Sequence, residues 1–215
     1  MTTIPFELFD HRINVNAMVN GEPGWLILDT GTGRTGLDRA WALRAGVELR
    51  WAPDSNSALV DSMRIAGLVL RDYVVSLFST SRISERQGRF VTGLLGDDFL
   101  AHFAVEIDFP ERMVRLYDRA SYRYDGPGLV LPFASKKEDL VLNAYLQAPD
   151  GKWIPARLLL DTGNGSLCVI LMTPFVERQQ LGRIRPVIDG PLITGLVGPL
   201  QIAVGNLPSL SLGGV

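Results

Sequence analysis

The sequence predicts an all-β protein of two related lobes, and three observations carry that expectation. Asp-Thr-Gly occurs twice, as Asp29-Thr30-Gly31 and Asp161-Thr162-Gly163, each time directly after an apolar run. The residues around the two tripeptides follow one pattern of alternating apolar positions and turns, an internal repeat. Helix-like periodicity is confined to short pieces, while strand-like stretches bounded by turn residues fill most of the chain.

The elements follow in order. Ile13, Val15, Ala17 and Val19 alternate with polar residues, the period of a half-buried strand. Asn20 to Gly24 is turn material, and Trp25 to Leu28 leads into the first Asp-Thr-Gly. A short helix is expected over Leu37–Ala45, with Asp38 near its start and Gly46 just past its end. Strand-like stretches come next, around Ser62–Ile65, Leu68–Phe78 and Arg89–Leu95. A capped turn or short helix at Asp97–Phe103 precedes a hairpin in which Val105, Ile107 and Phe109 alternate, Pro110 to Arg112 turn, and Val114 and Leu116 return. In the second copy Leu140, Leu142, Ala144 and Leu146 alternate, Pro149-Asp150-Gly151 turns, and Trp153 to Leu160 leads into the second Asp-Thr-Gly. Thr173-Pro174 opens a helix that stops at Gly182, a cap residue followed by proline at the first helical position. The lobes are expected at residues 1–118 and 130–215, joined by a linker at 119–129.

Bulk properties narrow the function classes. With 215 residues the chain is long enough to bury a real core, and 47% hydrophobic against 20% charged residues argues against disorder. A net charge of −2 without a basic cluster makes nucleic acid an unexpected partner. No apolar stretch has the length of a membrane span. The first residues show neither a charged n-region nor an apolar h-region. A removed leader would leave the same start, so the compartment is open between exported and cytoplasmic.

Paired carboxylates at the ends of two strands have one evident chemistry. If they meet, like charges that close cannot both ionise, and one proton is shared between Asp29 and Asp161. Such a dyad activates water without metal, cofactor or covalent intermediate. Gly31 and Gly163 permit a tight turn and let backbone N–H groups approach the carboxylates. Thr30 and Thr162 are either β-branched strand ends or hydroxyl donors that lock the two loops together. Thr32 could donate a hydroxyl bond that makes Asp29 the more readily ionised member, whereas Asn164 offers an amide.

At these residues the chain resembles the pepsin and retropepsin superfamily of aspartic proteases, and among them the small bacterial retropepsin-like type with two Asp-Thr-Gly repeats in one chain. The likeness extends to Leu94-Leu95-Gly96, matching the apolar-apolar-Gly element that braces the catalytic loop in that family. It implies a bilobal acid-protease fold and an aspartic endopeptidase with Asp29 and Asp161 as catalytic residues. Thr30, Gly31, Thr32, Thr162, Gly163 and Asn164 would support the dyad, and Gly96 would be a structural brace. A peptide or protein is the implied partner, and the chain is expected to be a monomeric intrachain pseudo-dimer. Two other readings stay open: a non-catalytic pseudo-protease that binds extended peptides or acts structurally, and a motif that works only in a homodimer.

The second copy departs from the first. Fewer residues follow Asp161 than separate Asp29 from Gly96, and Leu210 to Val215 aligns with Met63 to Leu68. The second lobe is therefore expected to stop before its own apolar-apolar-Gly element and closing hairpin. The substrate-covering flap is expected near Asp54–Ala58 or Thr194–Leu200. Cys168 is read as a buried strand cysteine, Trp25 and Trp153 as packed side chains, and Asp97-Asp98 as helix capping. His11 and His102 fit no zinc or triad spacing.

Overall fold

The computed structural model describes residues 1–49, 56–136, 139–148, 150–165, 168–181, 187–195 and 198–213. They are mostly strand and divide into two compact units. The first is Met1–Asp125 together with Asp161–Gly165; the second is Gly126–Leu160 together with Ser166–Val215. The five residues of the second motif segment, assigned by the repeat to the second lobe, pack with the first unit.

The first unit begins with a strand that the opening pattern did not single out, β1 (Thr2–Phe9), which buries Ile4 and Phe6. It pairs antiparallel with β2 (Arg12–Val19), whose Ile13, Val15, Ala17 and Val19 point into the core. The turn to β3 (Glu22–Leu28) is tighter than the sequence suggested. Only Asn20 and Gly21 form it, both at positive φ, the left-handed pair that a two-residue hairpin requires. A three-residue strand, β4 (Gly36–Asp38), takes the start of the expected first helix, leaving α1 as Arg39–Arg44. Asp38 caps α1 by accepting from the Trp41 N–H, and its other oxygen accepts from the backbone and hydroxyl of Thr80.

After β5 (Glu48–Leu49) come the long pair β6 (Ser57–Ile65) and β7 (Leu68–Phe78), then α2 (Ser81–Gln87). β8 (Gly93–Leu95), shorter than the expected Arg89–Leu95, leads into α3 (Asp97–Leu100). The hairpin β9 (Phe103–Asp108) and β10 (Met113–Asp118) closes the unit, with β10 lying beside β1. In sheet order β2, β3, β8, β4, β7 and β6 are consecutive neighbours, and β6 pairs back onto β2. The six strands thus form a closed barrel, which removes sheet edges. Val15, Val19, Leu26, Leu28, Leu37, Val60, Met63, Ile65 and Leu95 fill it, each fully or almost fully buried. A side chain of this kind contributes about 1.5 to 3 kcal/mol when taken from water.

The second unit contains β11 (Phe133–Lys136), β12 (Asp139–Gln147), β13 (Trp153–Leu159) and β16 (Ser209–Leu212) in one antiparallel sheet. A separate antiparallel pair is formed by β14 (Val187–Gly195) and β15 (Gly198–Gly205). The helix α4 (Thr173–Arg178) begins as expected, although Met172 rather than Thr173 holds the cap position, and Gly182 lies outside the described residues. Leu146 stands opposite Leu210 in the β12–β16 pairing, just as Val19 stands opposite Met63 in the β2–β6 pairing.

Two expectations are corrected. Cys168 is exposed in a bend, not buried in a strand. Trp153 is half exposed, because its place at the start of β13 turns it outward; Trp25 is partly covered, with the Arg89 guanidinium 3.8 Å above its ring. Of the flap segments, residues 54–55 and 196–197 lie outside the described residues, and what is seen of each is strand-bounded.

Candidate active site

Asp29 follows the last residue of β3, and its position is set by the parallel neighbour β8. Leu26, Ile27 and Leu28 stand opposite Gly93, Leu94 and Leu95, and the Asp29 N–H extends this ladder by donating to the Leu95 carbonyl at 3.0 Å. Leu26 to Leu28 are buried, so the strand end cannot shift without opening the core.

Gly96 then lets the following loop come close. A Cβ there would collide with the backbone of Arg34 and Thr35. Instead, the Gly96 N–H donates to the Thr35 hydroxyl at 3.1 Å. The Thr35 hydroxyl and N–H both donate to Asp98 Oδ1, at 2.7 and 2.8 Å. The Asp97 N–H donates to the Thr32 carbonyl at 2.9 Å. Asp97 and Asp98 thus lie in the first turn of α3, where Gly96 holds the cap position, and they stitch the Asp29 loop to β8.

The second motif segment meets this loop through reciprocal bonds. The Thr30 N–H donates to Thr162 Oγ1 and the Thr162 N–H donates to Thr30 Oγ1, both at 3.1 Å. Thr162 Oγ1 also donates to the Leu28 carbonyl at 2.8 Å. Glycine is required at both third positions by the same cross-contact. A Cβ on Gly31 would fall within 3 Å of the Asp161 carboxyl, and one on Gly163 within 3 Å of the Asp29 carboxyl. Each aspartate accepts the N–H of the glycine two residues on: Gly31 to Asp29 Oδ1 at 2.8 Å, Gly163 to Asp161 Oδ1 at 2.9 Å.

The two carboxyls do not share one environment. Asp29 is buried, at 8% exposure, whereas Asp161 is exposed and accepts a second backbone bond from Asn164 at 3.0 Å. Burial above all, then the charge of Asp161 and a hydrogen bond with it, push the Asp29 carboxyl from 3.8 up to about 6. The Gly31 N–H and the Arg12 guanidinium act in the opposite direction.

Thr32 differs from its expected role. The Thr32 hydroxyl donates to the Arg34 carbonyl at 3.4 Å rather than to Asp29, which is raised and not eased toward ionisation. Asn164 reaches Asp161 through its backbone N–H. His11 and His102 are exposed. Among the described residues no group of three or more His, Cys, Asp or Glu side chains is placed to hold a metal ion. No helix among them is long and apolar enough to cross a membrane. A cavity of about 540 Å³ in the second unit, between β12, β13 and α4, includes Tyr145, Arg157, Phe175 and Arg178 and none of the motif residues.

The sequence reading overlooked Arg12. It is buried at the start of β2, and its Nε donates to the Gly163 carbonyl at 2.6 Å. A signal was present: Asp10-His11 stands at a tight hairpin where Asn-Gly or Asp-Gly is the usual pair, followed at once by a charged residue in an otherwise apolar-alternating strand.

No protein-family model and no curated protein matches the sequence. Solved structures do. A retropepsin-like aspartic protease from Rickettsia conorii is similar at 21% identity and a TM-score of 0.38, over 54% of this chain and 88% of that one. The retroviral protease-like domain of Ddi1 from Leishmania major is similar at 14% identity and a TM-score of 0.32, over 52% of this chain and 95% of that one.

Proposed function

We propose that the chain is an aspartic endopeptidase of the retropepsin-like kind, with Asp29 and Asp161 as its dyad and water as nucleophile. The observation that carries this reading is reciprocity. Two Asp-Thr-Gly segments exchange threonine hydroxyl bonds, and each glycine makes room for the other's carboxyl. A strand-ending turn with a merely local role would need no such exchange. The two segments are, in this reading, copies of one duplicated unit, so a single chain forms both halves of an intrachain pseudo-dimer. The matching registers of β2 with β6 and β12 with β16 support that duplication.

The surroundings support a division of roles. Asp29, buried and given one backbone donor, holds the shared proton; Asp161, exposed and given two, is the base. One proton serves both carboxyls, because two neighbouring carboxylates cannot both carry full charge. Asp161 takes a proton from water as the water oxygen adds to the peptide carbonyl carbon. The carbonyl oxygen receives the Asp29 proton, giving a neutral gem-diol. As the C–N bond breaks, Asp161 passes its proton to the leaving nitrogen and one diol hydroxyl returns a proton to Asp29.

The test is cleavage of a peptide library by the purified chain from acidic to neutral pH, with Asp29→Asn and Asp161→Asn as controls. Both substitutions are expected to lower kcat/KM by roughly 10³-fold or more, within the range by which positioned acids and bases accelerate proton transfer. Cleavage that persists in either variant refutes the dyad. A second reading, a non-cleaving peptide binder, is favoured by the apolar side chains that the second unit exposes, among them Val130 and Met172 at 77% and 71%. A wild-type chain that binds library peptides and cuts none supports it.

A further inference from the structure

We propose that Arg12 is a positioning residue of the dyad: held by Asp10, it fixes the second Asp-Thr-Gly loop by its carbonyl and supplies the positive charge that offsets the crowded carboxyls. This rests on the protease reading and deepens it, adding a residue outside both motifs.

The surroundings of Arg12 use its donors one by one. Arg12 is 8% exposed, an unusual place for a guanidinium unless those donors are occupied. Nε donates to the Gly163 carbonyl at 2.6 Å, and Nη1 is paired with Asp10 Oδ2. Asp10 is itself held from the other side by Arg86 Nε at 2.8 Å. The carboxylate that anchors Arg12 sits in a left-handed turn, Asp10 at φ 47° and His11 at φ 60°, a conformation that non-glycine residues adopt only at a cost. Gly165 completes the fit. A Cβ there would run into the Asp10 carbonyl and the Arg12 guanidinium, so glycine lets the second loop lie flat against this turn.

The consequence is electrostatic as well as mechanical. Asp29 faces Asp161, the Gly31 N–H and Arg12; Arg12 in turn faces Asp10, and Asp10 faces Arg86. The guanidinium favours the ionised form of Asp29 and works against burial and Asp161. Without it Asp29 would keep its proton to higher pH. Without Asp10 the field of Arg12 would be less compensated, and Asp29 would release its proton at lower pH.

Opposite signs give a test that a purely structural role does not pass. Arg12→Met, Arg12→Lys and Asp10→Asn are compared with wild type by the pH profile of kcat/KM and by carboxyl-carbon NMR titration of Asp29. In Arg12→Met the Asp29 titration and the alkaline limb move up together by about one pH unit, the scale of losing one nearby opposite charge. In Asp10→Asn both move down, by roughly half as much at this partial exposure. Arg12→Lys leaves the limb in place, yet kcat/KM at the optimum falls on the order of 10-fold, because an ammonium does not span Gly163 and Asp10 as the fork does. An unmoved Asp29 titration in Arg12→Met, or a shift of the same sign in Asp10→Asn, overturns the proposal. Should Arg12→Met not fold, the sign in Asp10→Asn decides. A wild type that titrates but cuts no peptide refutes the protease reading alone, since the NMR arm reads Arg12 without turnover.

Discussion

Asp29 and Asp161 each accept the N–H of the glycine two residues on, yet one carboxyl is buried and the other exposed. The Asp29 loop is fastened from behind by Leu95, Gly96 and the Thr35–Asp98 pair. The Asp161 loop is fastened from the front, by Thr30 and by Arg12 on the Gly163 carbonyl. Identical tripeptides thus produce unlike carboxyls, because what differs is the set of groups packed around them. A motif specifies the turn; its neighbours specify the proton.

The glycines offer the sharpest way to break that asymmetry. A methyl at Gly163 would press on the buried Asp29 carboxyl, which has no free space to retreat into. A methyl at Gly31 would press on the exposed Asp161 carboxyl, which can turn toward solvent. Gly163→Ala is therefore expected to lower kcat/KM on the order of 10²-fold, the usual effect of an ångström-scale misplacement, and Gly31→Ala only about 10-fold. Peptide-cleavage kinetics on the two variants decide it. Equal losses, or a larger loss in Gly31→Ala, would show that burial does not separate the two carboxyls.

Much of this was legible in the sequence, and the reasons for the rest are physical. Alternation announced β2 and β10 because one face of each is buried and the other is not, whereas in β9 the alternating Val105 is exposed and Ile107 only partly covered. The doubled Asp-Thr-Gly marked the two loops that exchange threonine bonds. The helix α2 was invisible: Ile83 is its one aliphatic residue, so no stripe marks it, and it buries no side chain fully. Leu37 fits a helix start in the sequence because Asp38 resembles an early helical residue, whereas Asp38 is the cap and the strand pairs Leu37 with Leu77. Cys168 lies in an apolar run, Leu167 to Leu171, whose composition resembles a buried strand, although Cys168, Ile170 and Met172 are exposed. Arg12 is harder to see, since the group that ties it to the second motif is the Gly163 backbone carbonyl, and only a charge at the start of an apolar-alternating strand hints at it.

The buried carboxyl also ties stability to pH. Asp29 is raised from 3.8 to about 6, so the folded chain keeps a proton that the unfolded chain releases earlier. The stability associated with this group is fully present below about pH 4, declines as pH rises toward 6, and levels off beyond that. The decline should amount to no more than about 3 kcal/mol, the shift of Asp29 converted at about 1.4 kcal/mol per pH unit. Urea unfolding between pH 4 and pH 7 measures it, with Asp29→Asn expected to flatten that part of the curve. An equal decline in wild type and Asp29→Asn would place the proton elsewhere.

The smallest expected effect lies at Thr32, where the two loops differ in sequence. Thr32 follows Gly31 as Asn164 follows Gly163, and from residue type alone its hydroxyl is a natural donor to Asp29. In the fold it points away, to the Arg34 carbonyl at 3.4 Å, on an exposed part of the loop. The bonds that hold this stretch are made by its backbone: the Thr32 N–H lies 3.4 Å from the Asp29 carbonyl, and the Thr32 carbonyl accepts from the Asp97 N–H at 2.9 Å. Alanine keeps both. Thr32→Ala should therefore leave the pH profile of kcat/KM where it is and change stability by no more than about 0.5 kcal/mol, as exposed substitutions away from caps and cores do. A displaced limb in Thr32→Ala would mean that the hydroxyl does reach the Asp29 carboxyl in solution, and that the asymmetry between the two carboxyls is written partly in the motifs themselves.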